Sequence, residues 1–164
     1  MGLAKRLQSF EPIASADARV LILGSMPGVR SLEAGEYYAH KQNQFWKIMG
    51  TLLGFEPDAP YPARTRALTK NGVALWDVLE ACVRPGSLDA DISDAVPNDF
   101  DAFLAKHRKI ERIGLNGGTA WKYFRRHVET PPHIECVRLP STSPAYAAMK
   151  FEKKLALWKR ELGL

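Results

Sequence analysis

Three polar segments of this sequence carry residue types that could hold an anion or a nucleic-acid base. Gly24-Ser-Met-Pro-Gly28 is a turn whose backbone N–H groups could point at an anion or a base. Residues 36–46 interleave aromatic, basic and amide side chains, which stack on an unpaired base and hydrogen-bond to it. Leu139-Pro-Ser-Thr-Ser-Pro144 offers small hydroxyls before a helix that carries Lys150, an arrangement suited to a phosphate.

Each segment also has an ordinary structural explanation. The first can be a plain strand-to-loop turn, since it has neither the spacing and lysine of a Walker loop nor a GxGxxG pattern. In the second, Tyr37, Tyr38, Phe45 and Trp46 can be core residues, and Asn43 can cap a helix. The third can be an ordinary proline-stiffened turn. No segment by itself assigns a function.

Four continuous apolar runs predict strands that are buried on both faces: residues 18–24, 72–77, 110–115 and 133–139. Helical patterns separate or follow them, at residues 43–53, after Phe100, after Trp121 and from Phe151 to Leu162. This alternation predicts a parallel sheet covered by helices on both sides, whose ligands bind at the carboxyl ends of the strands. The first and third polar segments start at such ends. Residues 84–98 form the only long irregular stretch.

The charge distribution is uneven. The chain has 164 residues and a net charge of +5, with basic clusters at residues 106–126 and 138–160. A one-sided basic surface is expected of a nucleic-acid binder, although solvated helix faces explain the same clusters. Residues 89–101 hold five acids and no base, so we expect that stretch to face away from a polyanion.

Several protein classes are disfavoured. No apolar run approaches the roughly 20 residues of a membrane span, and residues 1–14 lack a signal-peptide core. We therefore expect a cytoplasmic protein, associated with the nucleoid if the source is bacterial. Cys82 and Cys136 have no CxxC partner, which excludes a four-thiolate iron–sulfur cluster and a cysteine-type zinc site. We interpret both as buried small hydrophobic residues and expect neither a metal nor a cofactor.

In combination, the three segments resemble the uracil-DNA glycosylase superfamily, and in particular its hypoxanthine-DNA (deoxyinosine) glycosylase branch. The resemblance rests on Gly24-Ser-Met-Pro-Gly28, Tyr38-Ala-His-x-x-Asn-x-Phe-Trp46 and Leu139-Pro-Ser-Thr-Ser-Pro144. Residues 72–77, 84–88 and 115–118 also resemble that branch, so nearly the whole chain is covered. The resemblance implies a single domain over residues 1–164, built as a three-layer α/β/α sandwich with a central, mainly parallel four-stranded sheet. It also implies removal of a deaminated base, hypoxanthine or uracil, from DNA.

The resemblance implies roles for individual residues. Asn43 takes the central polar role and is expected to orient water, Tyr38 stacks on the extruded base, and Asp77 stands where relatives read the base edge. The expected base pocket comprises Gly24, Ser25, Met26, Pro27, Gly28, Tyr38, His40, Asp77 and Asn116. The residues expected to grip the DNA backbone or act as a wedge are Ser141, Thr142, Ser143, Pro144, Tyr146 and Lys150.

Two positions depart from the better-known branches. Many relatives have a water-activating Asn or Asp where this sequence has Met26, and the uracil enzymes have a His where it has Leu139. Neither side chain can orient water or support an anionic base. The chemistry would then rest on Asn43, with His40 as the only other nearby general-base candidate.

Two polar residues keep alternative interpretations. An ionised Asp77 would accept a hydrogen bond from hypoxanthine N1–H or uracil N3–H and would reject adenine, whose N1 is itself an acceptor. An anion beside a departing anionic base opposes its departure, so Asp77 is alternatively protonated or turned away. Asn116 could read the base or bridge two loops.

The sequence therefore predicts a monomeric DNA glycosylase without lyase activity, whose partner is DNA containing a deaminated base and not a membrane. Two rivals stay open. A hydrolase of free nucleosides or nucleotides would share the pocket but would need neither a basic flank nor a wedge. A non-catalytic nucleic-acid-binding domain is favoured by Met26 and Leu139.

Overall fold

The computed structural model describes residues 5–164; residues 1–4, part of the segment interpreted as lacking a signal-peptide core, lie outside the described range. The regular elements, in chain order, are β1 (Arg6–Gln8), β2 (Val20–Gly24), α1 (Val29–Ala34), α2 (Phe45–Leu53), α3 (Tyr61–Lys70), β3 (Val73–Asp77), β4 (Leu79–Val83), β5 (Ser93–Pro97), α4 (Phe100–Lys106), β6 (Arg112–Asn116), α5 (Gly118–His127), β7 (Glu135–Leu139) and α6 (Phe151–Leu162). A single 3₁₀ turn, Asp89–Asp91, precedes β5.

The central sheet has four parallel strands in the order β3-β2-β6-β7. In its register, Leu21 of β2 lies opposite Ala74 of β3 on one side and Ile113 of β6 on the other. The four strands predicted from the apolar runs are confirmed, and each carboxyl end agrees within one residue. Because all four strands run in the same direction, Gly24, Asp77, Asn116 and Leu139 meet at one edge.

Helices cover both faces of this sheet. Alternate residues of β2 point to opposite sides, so Leu21 belongs to one core with Phe124 of α5, and Ile22 belongs to the other with Trp158 of α6. All four side chains are fully or almost fully removed from solvent, and burial of each stabilises the fold by roughly 1.5–3 kcal/mol. The predicted α/β sandwich with a parallel four-stranded centre is confirmed.

A second sheet was not predicted. Strands β1, β4 and β5 form an antiparallel sheet in the order β1-β4-β5, and β4 begins only two residues after β3 ends. The expectation that residues 84–98 are irregular throughout was therefore wrong for β5. The sequence of β5, Ser-Asp-Ala-Val-Pro, is polar and edge-like, because one side of that strand has no partner within the sheet.

Two helices and one cysteine also differ from expectation. Helices α1 and α3 were missed because each buries a single residue, Ser31 and Leu68 respectively, and so lacks an apolar stripe. Cys82 is buried as expected, but Cys136 is only half-buried, because β7 is an edge strand of the parallel sheet. Within residues 5–164, no helix is both long enough and apolar enough to cross a membrane.

Candidate active site

The carboxyl edge of the parallel sheet opens into a cavity of about 410 Å³. That volume falls in the range of roughly 300–1,000 Å³ typical of small-molecule sites. The cavity is lined by residues 24–31, Tyr37, Tyr38, His40, Asn43, Asp77, and residues 87–89, 116–119 and 141–146. Every residue expected in the base pocket lies in this lining, as do Asn43 and the expected wedge residues of the loop 141–146. Lys150 does not line the cavity and is exposed directly before α6.

The turn that follows β2 is fixed by the loop after β4. The guanidinium of Arg84, itself buried, donates to the carbonyl oxygens of Pro27 and Gly86. The backbone N–H of Val29 donates to the Ser87 hydroxyl over 2.9 Å. One cavity wall is thus held by a loop nearly 60 residues further along the chain.

The side chains of Asp77 and Tyr38 approach the backbone of Gly24 closely, at the cavity that all three residues line. A Cβ at this position would lie 2.6 Å from Asp77 Oδ1 and 2.7 Å from the Tyr38 hydroxyl oxygen. Both separations are far below van der Waals contact. The absence of a side chain at Gly24 therefore allows the carboxyl and the phenol to converge.

Tyr38 lines the cavity. Its ring stacks on Phe45, with ring centroids 4.2 Å apart and planes 24° apart. The backbone of Tyr38 has φ = +55°, in the left-handed region that non-glycine residues rarely occupy. Such strain persists where surrounding contacts fix it, and here the Tyr38 hydroxyl lies close to the Gly24 backbone.

Asn43 lies at the cavity wall in a tight turn before α2. Its backbone N–H donates to His40 O over 2.9 Å, and its Oδ1 accepts from Phe45 N–H over 3.0 Å. An amide oxygen has two lone pairs, so one acceptor position on Oδ1 stays open for a further donor. His40 is exposed, and its Nδ1 accepts from Gln42 N–H over 3.1 Å.

Asp77 is a buried carboxyl at the end of β3. The residue is only 3% exposed, and its Oδ2 has no hydrogen-bond partner among the described residues. Loss of hydration raises the pKa of Asp77 to about 7, with a further upward contribution from Asp89 and a smaller downward one from Arg84. The side chain of Asn98 donates to the Asp77 backbone carbonyl over 2.8 Å and so fixes the strand end.

Asp89 corrects one expectation from the charge pattern. The acidic stretch 89–101 was expected to face away from a polyanion, but Asp89 lines the cavity and accepts a 2.8 Å hydrogen bond from Ser25 Oγ. Ser25, which follows β2, thus donates to one of the five acids in this stretch. The net charge of a segment does not indicate which of its residues line a cavity.

Asn116 bridges two loops. Its Nδ2 donates to the Tyr38 hydroxyl and to Thr142 Oγ1, and its Oδ1 accepts from Thr142 N–H, all within 3.1 Å. Both amide hydrogens are engaged in this arrangement. Of the two interpretations of Asn116, the structure shows the bridge.

The loop after β7 is shaped by its own hydroxyls. Ser141 Oγ accepts from Ser143 N–H, and Ser143 Oγ accepts from Ala145 N–H, which folds the loop into two successive turns. Thr142 is almost fully buried and faces Asn116, whereas Tyr146 is 41% exposed at the cavity rim. The outer part of the loop, and not Thr142, is therefore free to meet a ligand.

Lys150 and Lys153 are exposed, but Lys154, the next residue in α6, is only 1% exposed. Its Nζ donates to Gln44 Oε1 over 2.8 Å and to the Tyr146 carbonyl over 3.4 Å. Burial lowers its pKa. Since Gln44 N–H also donates to Thr142 O over 3.0 Å, this cation ties the residue after Asn43 to the loop 141–146.

The sequence did not predict several other residues of the lining: Arg30, Ser31, Tyr37, Ser87, Leu88, Asp89 and Thr119. Ser87 and Leu88 fall in a loop that resembled known relatives, which is the signal that could have included them. For Arg30 and Ser31 the sequence contains no such signal, because α1 lacks an apolar stripe.

The cavity lining therefore combines the aromatic ring of Tyr38, the amide oxygen of Asn43 and the buried carboxyl of Asp77. These groups suit a flat ring with polar edges, held apart from solvent, and a water molecule bound beside it. Within the described part of the chain, no three His, Cys, Asp or Glu side chains are grouped as a metal site would require.

Comparison with known proteins gives consistent results. A family model described as the uracil DNA glycosylase superfamily matches residues 11–162. Hypoxanthine DNA glycosylases of Methanosarcina barkeri and Methanosarcina acetivorans are each 33% identical over 117 residues, which are 71% of this chain and 74% of the relative. A solution NMR structure of a candidate uracil DNA glycosylase from Methanosarcina acetivorans superposes with a TM-score of 0.81. That match has 29% identity and covers 95% of this chain and 96% of the other.

Proposed function

This chain belongs to the uracil DNA glycosylase superfamily, and we propose from its cavity that it hydrolyses the N-glycosidic bond of hypoxanthine or uracil flipped out of DNA. It is a DNA glycosylase that acts on deaminated bases in repair. One observation carries the proposal for the site: Tyr38, Asn43 and Asp77 line the same cavity at the carboxyl edge of the sheet.

Base extrusion is the first step. A base in a duplex hides its glycosidic bond, so it must leave the stack, at a cost of a few kcal/mol that is smaller for a mispaired base. The Tyr38 ring receives the extruded base on the face opposite Phe45, which stacks on the other face of the ring. The exposed Tyr146 and the outer hydroxyls of the loop 141–146 contact the DNA backbone and the gap that the base leaves.

Bond cleavage follows. The bond between C1′ and the base nitrogen breaks with its electron pair leaving on the base, and a water oxygen forms the new bond to C1′. Asn43 orients that water through the open acceptor position on Oδ1, and the released proton passes to solvent or to the departing base. Asn43 is not a strong base, which suffices because nearby DNA phosphates stabilise the positive charge on the sugar.

We propose hydrolysis alone, without a lyase step. A lyase needs an amine that attacks C1′, and no lysine belongs to the cavity lining formed by residues 5–164. Lys154 is buried and donates to Gln44 and to the Tyr146 carbonyl. We further propose a single domain over residues 1–164 that works as a monomer in the cytoplasm, with the nucleoid if the source is bacterial.

The experiment is an excision assay on short duplexes that each carry one hypoxanthine, uracil or xanthine, followed by alkali to cleave abasic sites. The proposal predicts strand scission at the lesion and none in the matched duplex with normal bases. Scission of none of the lesion duplexes under single-turnover conditions would contradict it and favour a non-catalytic binder. Activity on free nucleosides without activity on DNA would favour the nucleoside hydrolase.

A further inference from the structure

We infer that Asp77 works as a neutral carboxylic acid that donates its proton, in a hydrogen bond, to the exocyclic carbonyl oxygen of the flipped base. The inference rests on the proposed function and names the chemical feature that the pocket selects. Deamination replaces an exocyclic amine, which is a donor, by a carbonyl, which is an acceptor. A donor at this position therefore favours hypoxanthine over adenine and uracil over cytosine.

The surroundings of Asp77 are unsuited to a charged carboxylate. Oδ2 is sealed from solvent and has no hydrogen-bond partner among the described residues, while Oδ1 lies on the Gly24 side near the Tyr38 hydroxyl. A buried carboxylate needs several donors or a paired cation to remain ionised. Arg84, the cation that influences Asp77, directs its guanidinium to the carbonyls of Pro27 and Gly86.

The charged groups around Asp77 raise its pKa on balance, in the same direction as burial. Asp89 from the 3₁₀ turn contributes repulsion, Arg84 from the loop after β4 partly offsets it, and Tyr37 and Tyr38 face it as neutral phenols. Burial is the largest influence, and together these raise the pKa of Asp77 to about 7. The acid is thus neutral over the mildly acidic range and ionises near neutrality.

A neutral Asp77, unlike a charged carboxylate, does not repel the departing base. Negative charge develops on the base as the glycosidic bond breaks, and a carboxylate beside it would oppose departure. A neutral donor makes a hydrogen bond that strengthens as that charge grows, so it stabilises the transition state more than the bound substrate. A carboxylic acid kept neutral by its surroundings for use as a donor has a precedent in enzymes.

A hydrogen-bond donor at Asp77 does not distinguish every normal base from a deaminated base. Guanine carries a carbonyl at the same position as hypoxanthine, so Asp77 does not exclude guanine. Rejection of guanine falls to other parts of the cavity, where its additional 2-amino group must be accommodated. Asp77 separates carbonyl-bearing from amine-bearing bases only.

The test is the single-turnover rate of hypoxanthine excision between about pH 5 and pH 9 for the parent, Asp77→Asn and Asp89→Asn proteins. We expect the parent rate to fall tenfold per pH unit above about pH 7. Asp77→Asn retains a donor that does not titrate, so its rate stays within about tenfold of the parent at pH 6 and does not show that fall. Asp89→Asn removes a neighbouring negative charge and moves the fall to lower pH. Ionisation of the lesion itself is common to all three proteins.

Three results would overturn the inference: a parent rate that stays constant to pH 9, an Asp77→Asn profile that keeps the parental fall, or an Asp77→Asn rate reduced more than 100-fold at every pH. Circular dichroism and thermal unfolding establish that each variant is folded. A parent that excises no lesion at any pH contradicts the proposed function. In that event the inference is judged by ¹³C NMR of labelled aspartate carboxyls, with the Asp77→Asn spectrum assigning the signal. Ionisation near pH 7 supports the inference, and ionisation below pH 5 overturns it.

Discussion

The ring of Phe45 supports Tyr38 from behind, at a centroid distance of 4.2 Å, and the backbone N–H of Phe45 donates to the Asn43 side chain. One residue therefore fixes both the ring that we propose as the stacking surface for the base and the amide that we propose orients water. Their relative position is set by the start of α2, a rigid element, and not by two independent loops.

Replacement of Tyr38 tests the stacking surface. Base–aromatic stacking contributes about 1–3 kcal/mol per base, so Tyr38→Leu should reduce excision by roughly 10-fold to 100-fold. Tyr38→Phe keeps the ring and removes only the hydroxyl that accepts from Asn116, so it should lose less. The measurement is the single-turnover rate of both variants on the same hypoxanthine duplex. Equal losses would place the importance of Tyr38 in its hydroxyl.

Gly24→Ala tests the convergence of Asp77 and Tyr38. The added methyl group would lie 2.6 Å from one side chain and 2.7 Å from the other, so both must move, and we expect excision to fall about 100-fold or more. Gly86→Ala is the matched control, because a Cβ there meets nothing within 4 Å. Excision rates and thermal unfolding of the two variants are compared. Similar behaviour of the two would show that close approach at Gly24 is not needed.

The pH dependence of stability tests the burial of Asp77 independently of activity. Between about pH 4 and 7, Asp77 keeps a proton in the folded protein that it releases in the unfolded chain. The contribution of Asp77 to the free energy of unfolding is therefore full below about pH 4 and falls as pH rises towards 7. Across these roughly three pH units, the free energy of unfolding should fall by on the order of 4 kcal/mol. Asp77→Asn lacks this loss, and its free energy of unfolding in urea should gain on the parent between pH 4 and 7 and hold that gain above. A difference that does not change with pH would mean that Asp77 is ionised in the folded protein.

The salt dependence of DNA binding tests which lysines meet phosphates. Lys150 and Lys153 are exposed at the start of α6, and replacing both by Ala should flatten the log–log salt slope by about 0.9 for each lost contact. Lys154→Met should leave the slope unchanged, because Nζ of Lys154 is directed inward to Gln44 and the Tyr146 carbonyl. An unaltered slope in the Lys150 and Lys153 double variant would place the DNA on another face.

The parallel sheet and the position of the cavity could be predicted because a strand buried on both faces has a continuous apolar sequence. Residues such as Leu21, Ile22 and Leu23 carry that signal by themselves. The antiparallel sheet gave no comparable signal, since β1 has three residues and β5 is polar. Its strands are recognisable only once they are paired.

Side-chain partnerships across the cavity could not be predicted from sequence. Ser25 and Asp89 are 64 positions apart, and Lys154 and Gln44 are 110 positions apart. Residue type indicates that a lysine is normally exposed, and the buried Lys154 is an exception that only tertiary contacts create. Asn116 is similar, because its type suits a base reader and a loop bridge equally well.

Replacement of Asn43 tests most directly whether this side chain orients the attacking water. Asn43→Ser removes the amide but leaves a hydroxyl that can accept from Phe45 N–H, which preserves the turn before α2. By analogy with the loss of one preorganised amide, about 3–4 kcal/mol, single-turnover excision of hypoxanthine should fall roughly 10²–10³-fold. Affinity for the same duplex should be unchanged, because the Tyr38 ring and the phosphate contacts lie elsewhere. A rate within about fivefold of the parent would contradict the account, assign water activation to another group and make His40 the next residue to replace.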